Sequence, residues 1–460
     1  MTPVQQLKTK QKAADSELQN TPFQVYTERQ LDRIKPIQML PEAQRFAMRV
    51  VANVLPFRVN QYVIDELIDW DNIPDDPLYQ LTFPQSGMLG DTDFNRMAEA
   101  LKSGDKQAIS STANTIRAGL NPHPAGQQVM NVPHLAGDPL AGIQHKYRET
   151  VLFFPSQGQV CHSYCTFCFR WAQFIGDKAL RFSAKEAQQL HHYLKQHKDI
   201  TDLLITGGDP MVMKTHHLAD YLEPLLKPEL AHIQTVRIGT KSLTFWPHRY
   251  VHDSDADVLL RLLEKLVKAG KHVALMAHFN HWREMDTNIA REAIRRVLDT
   301  GVVIRTQAPL LNHINNDAEI WSQMWRTQVQ QGLVPYYMFM ERDTGARRYF
   351  EVPLARAWNV YREAIQTVSG LGRTARGPSM SAGPGKVEVQ GVTDIGNEKV
   401  FVLRFIQARN PDWVQRPFFA KYDEQVTWLD QLHPAMGEEK FFFQDEYDAM
   451  CNGEITPRRW

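Results

Sequence analysis

Three of the four cysteines, Cys161, Cys165 and Cys168, lie within eight residues of one another. Their CxxxCxxC spacing places three soft thiolate donors on one short loop, which suits an iron–sulfur cluster or zinc better than a disulfide. A structural zinc ion takes four ligands, and the fourth cysteine, Cys451, lies far along the chain. Three thiolates on a four-iron cluster leave one iron open to a further ligand. The triplet therefore predicts a catalytic metal centre.

Length and charge limit the classes of protein to which the chain can belong. Its 460 residues are enough for a large core with two or three regions around one main domain. The 52 basic and 52 acidic residues balance, which argues against a nucleic-acid partner. No apolar run reaches the length of a membrane span, and the polar start does not resemble a signal peptide. We expect a cytoplasmic protein without a membrane partner, in a compartment that keeps thiols reduced.

The period of the apolar residues divides the chain into three regions. Residues 1–140 have helical spacing, which predicts a mainly helical N-terminal region. Residues 141–370 alternate β-rich runs with amphipathic helices, which predicts a parallel sheet. Residues 371–460 contain a glycine-rich stretch, two strands and an aromatic-rich end that suggests subunit contacts. The predicted strands of the middle region are 150–154, 202–206, 235–238, 273–278, 302–307 and 334–339.

Candidate binding residues stand at the ends of these strands, where parallel sheets present their active residues. Two architectures remain open for six β/α units, an open doubly wound sheet and an incomplete barrel. A glycine pair after the second strand lets backbone approach a ligand closely, although by itself it predicts only a turn. A histidine at a strand end is by itself more often a buried structural residue, but clustering favours function. The candidates are Gly207, Gly208, Asp209, Pro210, Arg237, Gly239, His278 and Gln307.

Lys386 lies in a second glycine-rich segment, Ala382–Lys386. A lysine in such a turn is commonly a solvent-exposed side chain, and the sequence alone favours that interpretation. A lysine held near a carbonyl ligand can instead form a Schiff base, as pyridoxal phosphate enzymes require. Both interpretations stay open on this evidence.

The cysteine triplet, with an aromatic residue before its third cysteine, resembles the signature of the radical S-adenosylmethionine enzymes. That resemblance implies an α/β fold with a partial (β/α)6 barrel, in which the cluster loop follows the first strand. The segment Gly207-Gly208-Asp209-Pro210 is similar to the GGE-type motif that binds the amino group of S-adenosylmethionine in those enzymes. The resemblance thus favours the incomplete barrel over the open sheet.

A longer set of motifs, covering roughly residues 40–405, resembles the lysine 2,3-aminomutase family. The set comprises the triplet, His278-Phe279-Asn280-His281, Gln307, Pro335-Tyr336-Tyr337 and Lys386. The resemblance implies an isomerase that uses a [4Fe-4S] cluster, S-adenosyl-L-methionine and pyridoxal 5′-phosphate. In the family, a 5′-deoxyadenosyl radical removes a hydrogen from the β-carbon of the substrate, and the amino nitrogen moves from C2 to C3. An L-α-amino acid becomes a β-amino acid.

The resemblance also implies roles for individual residues. Lys386 would form the Schiff base with pyridoxal phosphate, and Arg170 would hold the substrate carboxylate in a bidentate pair. Lys146 and Tyr147 match a segment that contacts the cofactor phosphate. A second family arginine is missing from this segment, and Arg148 is expected to compensate.

Two positions depart from the lysine-specific pattern, in which aspartates hold the distal ammonium of the substrate. Arg342 and Ser379 occupy them here. Because an arginine would repel that ammonium and pair with a carboxylate, we expect glutamate or aspartate as substrate. If a bulge turned the adjacent Asp343 inward, lysine would again be the expected substrate. The zinc site of the family also lacks its cysteine, since Ala318 takes that position.

Two other interpretations compete with the aminomutase. One is a radical S-adenosylmethionine enzyme that modifies RNA or protein, with Lys386 in a structural role. The other is a non-catalytic metal-binding protein. For the aminomutase we expect a small amino acid as substrate, an electron donor of the flavodoxin or ferredoxin type, and a homo-oligomer.

Overall fold

An eleven-stranded sheet forms the centre of the fold, and its strands follow one another in chain order from β5 to β15. The computed structural model describes residues 21–121, 130–135, 137–175 and 187–454. The strands are β1 (Val25–Thr27), β2 (Arg58–Asn60), β3 (His134–Leu135), β4 (Asp138–Pro139), β5 (Ile143–Tyr147), β6 (Thr150–Phe153), β7 (Asp202–Ile205), β8 (Thr235–Thr240), β9 (His272–His278), β10 (Val303–Leu310), β11 (Val334–Met340), β12 (Arg376–Ser381), β13 (Gly385–Ile395), β14 (Glu398–Ala408) and β15 (Pro417–Lys421).

The helices of the described residues fall before, between and after these strands. They are α1 (Lys35–Gln38), α2 (Glu42–Ala52), α3 (Pro77–Thr82), α4 (Asp91–Ser103), α5 (Lys106–Leu120), α6 (Ala187–Gln196), α7 (Thr215–Leu222), α8 (Ser242–Phe245), α9 (Ala256–Lys268), α10 (Asn288–Leu298), α11 (Ala318–Gln330), α12 (Arg347–Phe350), α13 (Leu354–Gln366) and α14 (Gln444–Cys451). None of them is long and apolar enough to cross a membrane.

The strands from β6 to β12 pair in parallel. The six predicted strands of the middle region are β6 to β11, so that prediction and the mixed α/β class are confirmed. β5 adds an antiparallel edge on one side, and β13 to β15 continue the sheet as antiparallel strands on the other. The sheet therefore runs on past residue 370. β12 was not predicted, because Gly377 and Pro378 interrupt its apolar pattern.

Amphipathic helices cover the outer face of the parallel strands. α9 buries Leu259, Leu263 and Leu266 along one face, as its apolar spacing requires. Gly270 follows this helix with a φ of 86°, a left-handed conformation that lets the chain reverse into β9. The same helix-to-strand connection recurs along the sheet and keeps successive strands parallel.

The N-terminal helices build a second hydrophobic core beside the main one. This core joins α2 to α5 with Phe167 and Trp171, which belong to the cysteine loop. Residues 21–121 contain α1 to α5 together with β1 and β2, while residues 1–20 lie outside the described ranges. The division of the chain into three regions stays a prediction. The N-terminal region thus packs directly against the loop that carries the candidate metal ligands.

Aromatic side chains close the C-terminal end of the main core. The ring of Phe405 lies 4.9 Å from that of Phe443 and 5.5 Å from that of Phe418. All three rings are buried within the chain. The subunit contacts expected of the aromatic-rich end stay a prediction.

Candidate active site

The cysteine loop begins after β6, at the carboxyl edge of the parallel strands. All three thiols are free of disulfides. The loop is fixed from the N-terminal region, since the Tyr164 N–H donates to the Arg58 carbonyl oxygen at 2.8 Å. The Thr166 N–H donates to the Leu81 carbonyl oxygen at 3.0 Å. Both acceptors belong to the N-terminal region, so the backbone of that region holds the loop at the carboxyl edge of the sheet.

The surroundings of these thiols fit a metal cluster. Burial raises the pKa of Cys168 to about 11 and raises the pKa values of Cys161 and Cys165. The thiols also raise one another's pKa, so they lie close together. Three thiolates here require a compensating positive charge, which a cluster supplies. In the described ranges, no group of three His, Cys, Asp or Glu side chains is close enough together to hold a single metal ion. The ligands of a four-iron cluster can lie farther apart, because each binds a different iron.

The glycine pair after β7 packs against the cysteine loop. The Gly208 N–H donates to the Gly158 carbonyl oxygen, and the Asp209 N–H donates to the Val160 carbonyl oxygen, both at 2.9 Å. A Cβ on Gly208 would lie 2.6 Å from the Val160 nitrogen, so only glycine fits. The close approach expected of these glycines is thus made to the loop backbone. Binding of S-adenosylmethionine by the segment stays a prediction.

Asp209 ties the same segment to the end of β8. Its carboxylate accepts hydrogen bonds from the Thr240 hydroxyl at 2.7 Å and from the Lys241 N–H at 2.9 Å. Burial raises the pKa of Asp209 to about 6, against the effect of these donors. Pro210 follows at the start of a short 3-10 turn. The acid therefore serves first as a brace between two strand ends.

His278, the last residue of β9, pairs in register with Gln307 in the middle of β10. His278 Nε2 lies 2.7 Å from Gln307 Nε2, which fits a neutral imidazole that accepts from the amide. Burial lowers the pKa of His278 to about 3, so the ring is neutral. Gly239 lies on β8, and a Cβ there would approach Thr206 Oγ1 to 3.2 Å. Binding of a cofactor by His278, Gln307 and Gly239 stays a prediction.

A buried ion pair beside the cysteine loop was not predicted. Lys241 Nζ donates to Glu284 Oε1 at 2.6 Å and to Asn280 Oδ1 at 2.9 Å. Glu284 has no exposed surface. Lys241 lowers the pKa of Cys165, which places the pair near that thiol. The partners are more than forty positions apart, so no local pattern indicates the pairing.

Lys386 extends from the start of β13 into the interior of the sheet. Its Nζ lies 4.1 Å from the centre of the Tyr337 ring and 5.2 Å from that of Phe339. Burial, followed in effect by the charges of Arg237 and Arg376, lowers the pKa of Lys386 to about 7. A neutral amine on an apolar floor is what attack on a carbonyl carbon requires.

Four side chains near Lys386 form what we call the Arg342 cluster, namely Lys146, Tyr147, Arg342 and Arg409. Lys146 Nζ donates to the Ala382 carbonyl oxygen at 2.7 Å, and Arg409 Nε donates to the Gly383 carbonyl oxygen at 2.8 Å. Burial lowers the pKa of Lys146, with the charges of Arg409 and Arg342 next in effect. The cations therefore share a confined space, and two of them hold the turn before Lys386.

Arg342 and Arg170 face the interior with hydrogen-bonding capacity to spare. The Arg342 guanidinium lies 5.4 Å from the centre of the Phe169 ring and 5.8 Å from that of Trp428. Its Nε is 3.8 Å from Asp343 Oδ1 and, like Arg170 Nε, is buried without a hydrogen-bond partner among the described residues. Such donors mark where a bound carboxylate would complete the site.

Arg170 comes two residues after the third cysteine and packs beside β6. Its Nη2 donates to Gln159 Oε1 at 3.0 Å, and its guanidinium lies 4.4 Å from the centre of the Phe154 ring. Burial lowers the pKa of Arg170 to about 10, so the side chain remains a cation at neutral pH. The charges of Cys168 and Cys161 act on it, which places it at the edge of the cysteine loop.

The structure corrects two of the expected site residues. Arg148 lies 3.1 Å from Asp199, and both side chains are about half exposed, at 45% and 52%. This outward pairing removes Arg148 from the phosphate contact expected of it. Ser379 is fully buried, and its hydroxyl lies 3.4 Å from the Met338 carbonyl oxygen. Since Ser379 has no exposed surface, it does not offer a contact to a substrate side chain.

A cavity of about 460 Å³ lies between Lys386 and the amino ends of the parallel strands. We call it the arginine cavity, because Arg237, Arg305 and Arg376 line it together with Lys386. The expected cofactor residue Arg237 donates from Nε to Asp202 Oδ1 at 2.8 Å and pairs with both carboxylate oxygens. Arg305 and Arg376 were not predicted, since each is one polar residue within a strand.

Known proteins similar to this chain share the expected chemistry. No family model matches. A protein of Aquifex aeolicus, provisionally named L-lysine 2,3-aminomutase, is 30% identical over 408 residues, covering 88% of this chain and 96% of its own. The L-lysine 2,3-aminomutase of Bacillus subtilis is 24% identical, covering 79% of this chain and 67% of its own. The glutamate 2,3-aminomutase of Clostridioides difficile is 29% identical over 49% of each chain.

Among solved structures, SuiB of Streptococcus suis bound to its precursor peptide gives a TM-score of 0.35 at 14% identity, covering 56% of this chain and 49% of that one. The sequence relatives carry the assignment, and they confirm the resemblance drawn from the motifs. Enzymes of their kind use a [4Fe-4S] cluster, S-adenosylmethionine and pyridoxal phosphate. The chain belongs to the lysine 2,3-aminomutase family and is a radical S-adenosylmethionine isomerase that acts as a 2,3-aminomutase.

Proposed function

We propose that this aminomutase acts on an acidic L-α-amino acid, with glutamate favoured. The observation that carries the proposal is the Arg342 guanidinium, which lies inside the site between Phe169 and Trp428. Arg409 adds positive charge near it, since both arginines act on the pKa of Lys146. A substrate ammonium brought here would meet like charges, whereas a carboxylate would meet unused donors.

Two arginines are suited to the two carboxylates of such a substrate. Arg170, at the edge of the cysteine loop, would hold the α-carboxylate, and Arg342 would hold the side-chain carboxylate. Phe169 directly precedes Arg170 in the chain and its ring lies 5.4 Å from the Arg342 guanidinium. Its side chain is 49% exposed, so the substrate would cover it. The glutamate 2,3-aminomutase relative supports the view that this family includes an enzyme named for an acidic substrate.

The cofactors are assigned by donor type. Cys161, Cys165 and Cys168 would hold the [4Fe-4S] cluster, and Lys386 would attach pyridoxal phosphate covalently. When bound, these groups supply the radical chemistry and carry the migrating nitrogen. Gly207, Gly208, Asp209, Pro210, Gly239, His278 and Gln307 would line the S-adenosylmethionine site at the carboxyl edge.

The chain itself contributes position and exclusion of water. The N-terminal helices pack over the cysteine loop through Phe167 and Trp171, which shields this edge of the sheet from solvent. The His278–Gln307 pair and the Asp209 brace fix the strand ends before any ligand binds. Preorganisation of this kind would hold the substrate in a fixed position relative to the bound cofactors.

The partial (β/α)6 barrel also belongs to this proposal. Its support is the arginine cavity, whose lining comes from nine strands, β6 to β14, and therefore requires a strongly curved sheet. Lys146 on β5 also reaches the turn after β12, across the opening of the curve. The electron donor and the homo-oligomer stay predictions.

Lysine is the alternative substrate, because Asp343 lies 3.8 Å from Arg342 and could hold an ammonium. Exchanging the charge at residue 342 separates the two. We expect Arg342→Asp to lower kcat/KM for glutamate by about 10²-fold or more, since like charges then face each other. It should also raise kcat/KM for lysine. Arg348→Asp, an exposed arginine in α12, is the matched control and should leave both values unchanged. An unchanged glutamate preference in Arg342→Asp would refute the proposal.

The macromolecular alternative makes a different prediction. If the chain acted on RNA or protein, removing Lys386 would leave the cleavage of S-adenosylmethionine coupled to that substrate intact. Under the aminomutase proposal, Lys386→Ala keeps the cluster and loses pyridoxal phosphate. Cluster absorbance and bound pyridoxal phosphate, measured on the same sample, distinguish the two.

A further inference from the structure

The arginine cavity holds two guanidinium groups that the proposed function does not use. Arg376 lies 4.6 Å from the centre of the Tyr336 ring and 4.3 Å from that of Tyr337, while Arg305 lies 5.3 Å from that of Tyr336. Within the described ranges, neither guanidinium has a hydrogen bond to an acceptor or an ion pair with an acid. Tyrosine faces stabilise a cation only weakly, so the hydrogen-bonding capacity of both arginines remains.

The acid in the cavity is already neutralised. Asp202 Oδ1 accepts from Arg237 Nε at 2.8 Å, and Oδ2 accepts from the Thr150 hydroxyl at 2.8 Å and from Arg237 Nη2. Counting this pair as neutral leaves Arg305, Arg376 and Lys386 facing one space of about 460 Å³. The cavity therefore has a net positive charge, and an anion would relieve the repulsion between its walls.

Lys386 and Arg376 share one neighbour. Both approach the Tyr337 ring, with Lys386 Nζ at 4.1 Å and the Arg376 guanidinium at 4.3 Å from its centre. An anion bound by Arg376 would thus lie close to the amine that is proposed to attach the cofactor. In the turn just before Lys386, donors of the Arg342 cluster already hold the carbonyl oxygens of Ala382 and Gly383.

We propose that the arginine cavity binds a phosphate monoester, and that this is the phosphate of the pyridoxal phosphate attached to Lys386, held by Arg305 and Arg376. The inference rests on the proposed function. It moves the phosphate contact away from Lys146 and Tyr147, where the family resemblance placed it. It leaves the Arg342 cluster for substrate carboxylate, so each of the two cationic regions around Lys386 has one anion. Guanidinium forks match phosphate oxygens in bidentate pairs.

Affinity for pyridoxal phosphate, compared with affinity for pyridoxal, isolates the phosphate contribution. The full chain, with its cluster reconstituted and pyridoxal phosphate removed, is titrated with either aldehyde, trapped with borohydride, and the label on Lys386 is quantified by mass spectrometry. We expect Arg376→Gln and Arg305→Gln each to weaken pyridoxal phosphate about tenfold more than they weaken pyridoxal. Arg261→Gln, an exposed arginine of α9, is the matched control.

Each outcome has one meaning. A weakening of both aldehydes by the same factor in Arg376→Gln and Arg305→Gln would overturn the inference, because it would show that the arginines only position Lys386. Thermal unfolding of both variants identifies a folding failure, and either variant alone is sufficient for the comparison. Failure of the unsubstituted chain to label at Lys386 would refute the proposed function and the inference with it.

Inorganic phosphate distinguishes the cofactor phosphate from a free phosphate ion. If the cavity holds the cofactor phosphate, inorganic phosphate competes with pyridoxal phosphate in the unsubstituted chain and competes less in Arg376→Gln. Saturable binding of inorganic phosphate to the chain already labelled with pyridoxal phosphate, and lost in Arg376→Gln, would contradict the assignment. That result would make the cavity a separate phosphate site.

Discussion

The cysteine loop and the arginine cavity are two charged regions with opposite kinds of organisation. Around the loop, the two buried acids are matched within the protein, since Asp209 accepts from donors at a strand end and Glu284 pairs with Lys241. In the cavity, one of three arginines is matched by an acid, and the other two rest on tyrosine rings. The loop is a braced scaffold for a cluster, and the cavity has unused binding capacity for an anion.

Unused hydrogen-bonding capacity lies in the cavity that would bind an anion, and the loop that would hold a cluster is braced by the protein. A loop that must hold three thiols in fixed positions needs satisfied neighbours, because a mobile ligand set would weaken the metal site. A pocket for an anion keeps its donors unpaired until the ligand binds. Four experiments test this contrast between the cysteine loop and the arginine cavity.

The largest effect is expected at Lys386, which borders the cavity. Lys386→Ala removes the amine that lies over Tyr337, so covalent attachment of pyridoxal phosphate and aminomutase activity should both be lost. Absorbance of the cluster should be unchanged, because the loop does not depend on this residue. Lys421→Ala, an exposed lysine at the end of β15, serves as control. Retained attachment in Lys386→Ala would show that another lysine carries the cofactor.

The brace around the loop is tested at its buried ion pair. Lys241→Met leaves Glu284 buried without its cation, and we expect a loss of about 3–5 kcal/mol in the free energy of unfolding. Lys265→Met breaks an exposed pair with Glu223 and should cost about 0–1 kcal/mol. Denaturant unfolding of both variants gives the comparison. Equal costs would mean that the pair beside the loop is not a structural brace.

A smaller cost is expected where the glycine pair meets the loop. Gly208→Ala places a Cβ within 2.6–2.8 Å of Val160 backbone atoms, so the loop must shift, at about 1–3 kcal/mol. The variant should also bind less iron per chain after reconstitution. Gly119→Ala, in α5 with open space around it, should be neutral or slightly stabilising. Unchanged iron content in Gly208→Ala would separate the glycine pair from the cluster.

The smallest effect concerns pH. Burial and the charges of Arg237 and Arg376 lower the pKa of Lys386 to about 7, so the neutral amine predominates above that pH. The rate of covalent attachment should rise roughly fivefold from pH 6 to pH 7 and level off above about pH 8. An amine with the ordinary lysine pKa would keep gaining rate up to about pH 10. Stopped-flow attachment rates across this range decide between the two.

Sequence and structure agree most closely where the signal is local. The triplet spacing gave the loop, and the alternation of short apolar runs with helices gave β6 to β11. His278 at the end of β9 lies beside Gln307 of β10 because the two strands are parallel neighbours. These features depend on spacing within a single element or between neighbours.

Long-range features could not be predicted. Arg305 and Arg376 lie about seventy positions apart, on β10 and β12, and these strands pair with the two sides of β11, which carries Tyr336. Arg409 reaches Gly383 from the end of β14. The prediction for Arg148 was wrong because successive side chains alternate in direction along an extended chain, and that of Arg148 points outward to Asp199. The motif alone does not reveal this direction.

Conversion of glutamate tests directly whether the substrate is an acidic amino acid. The anaerobic enzyme, with cluster, S-adenosylmethionine, pyridoxal phosphate and reductant, is given equal amounts of carbon-13-labelled glutamate and lysine, and products are followed by NMR. The account predicts 3-aminoglutarate from glutamate and no β-lysine, since Arg342 and its cationic neighbours face the substrate side chain. Formation of β-lysine with glutamate unchanged would contradict it.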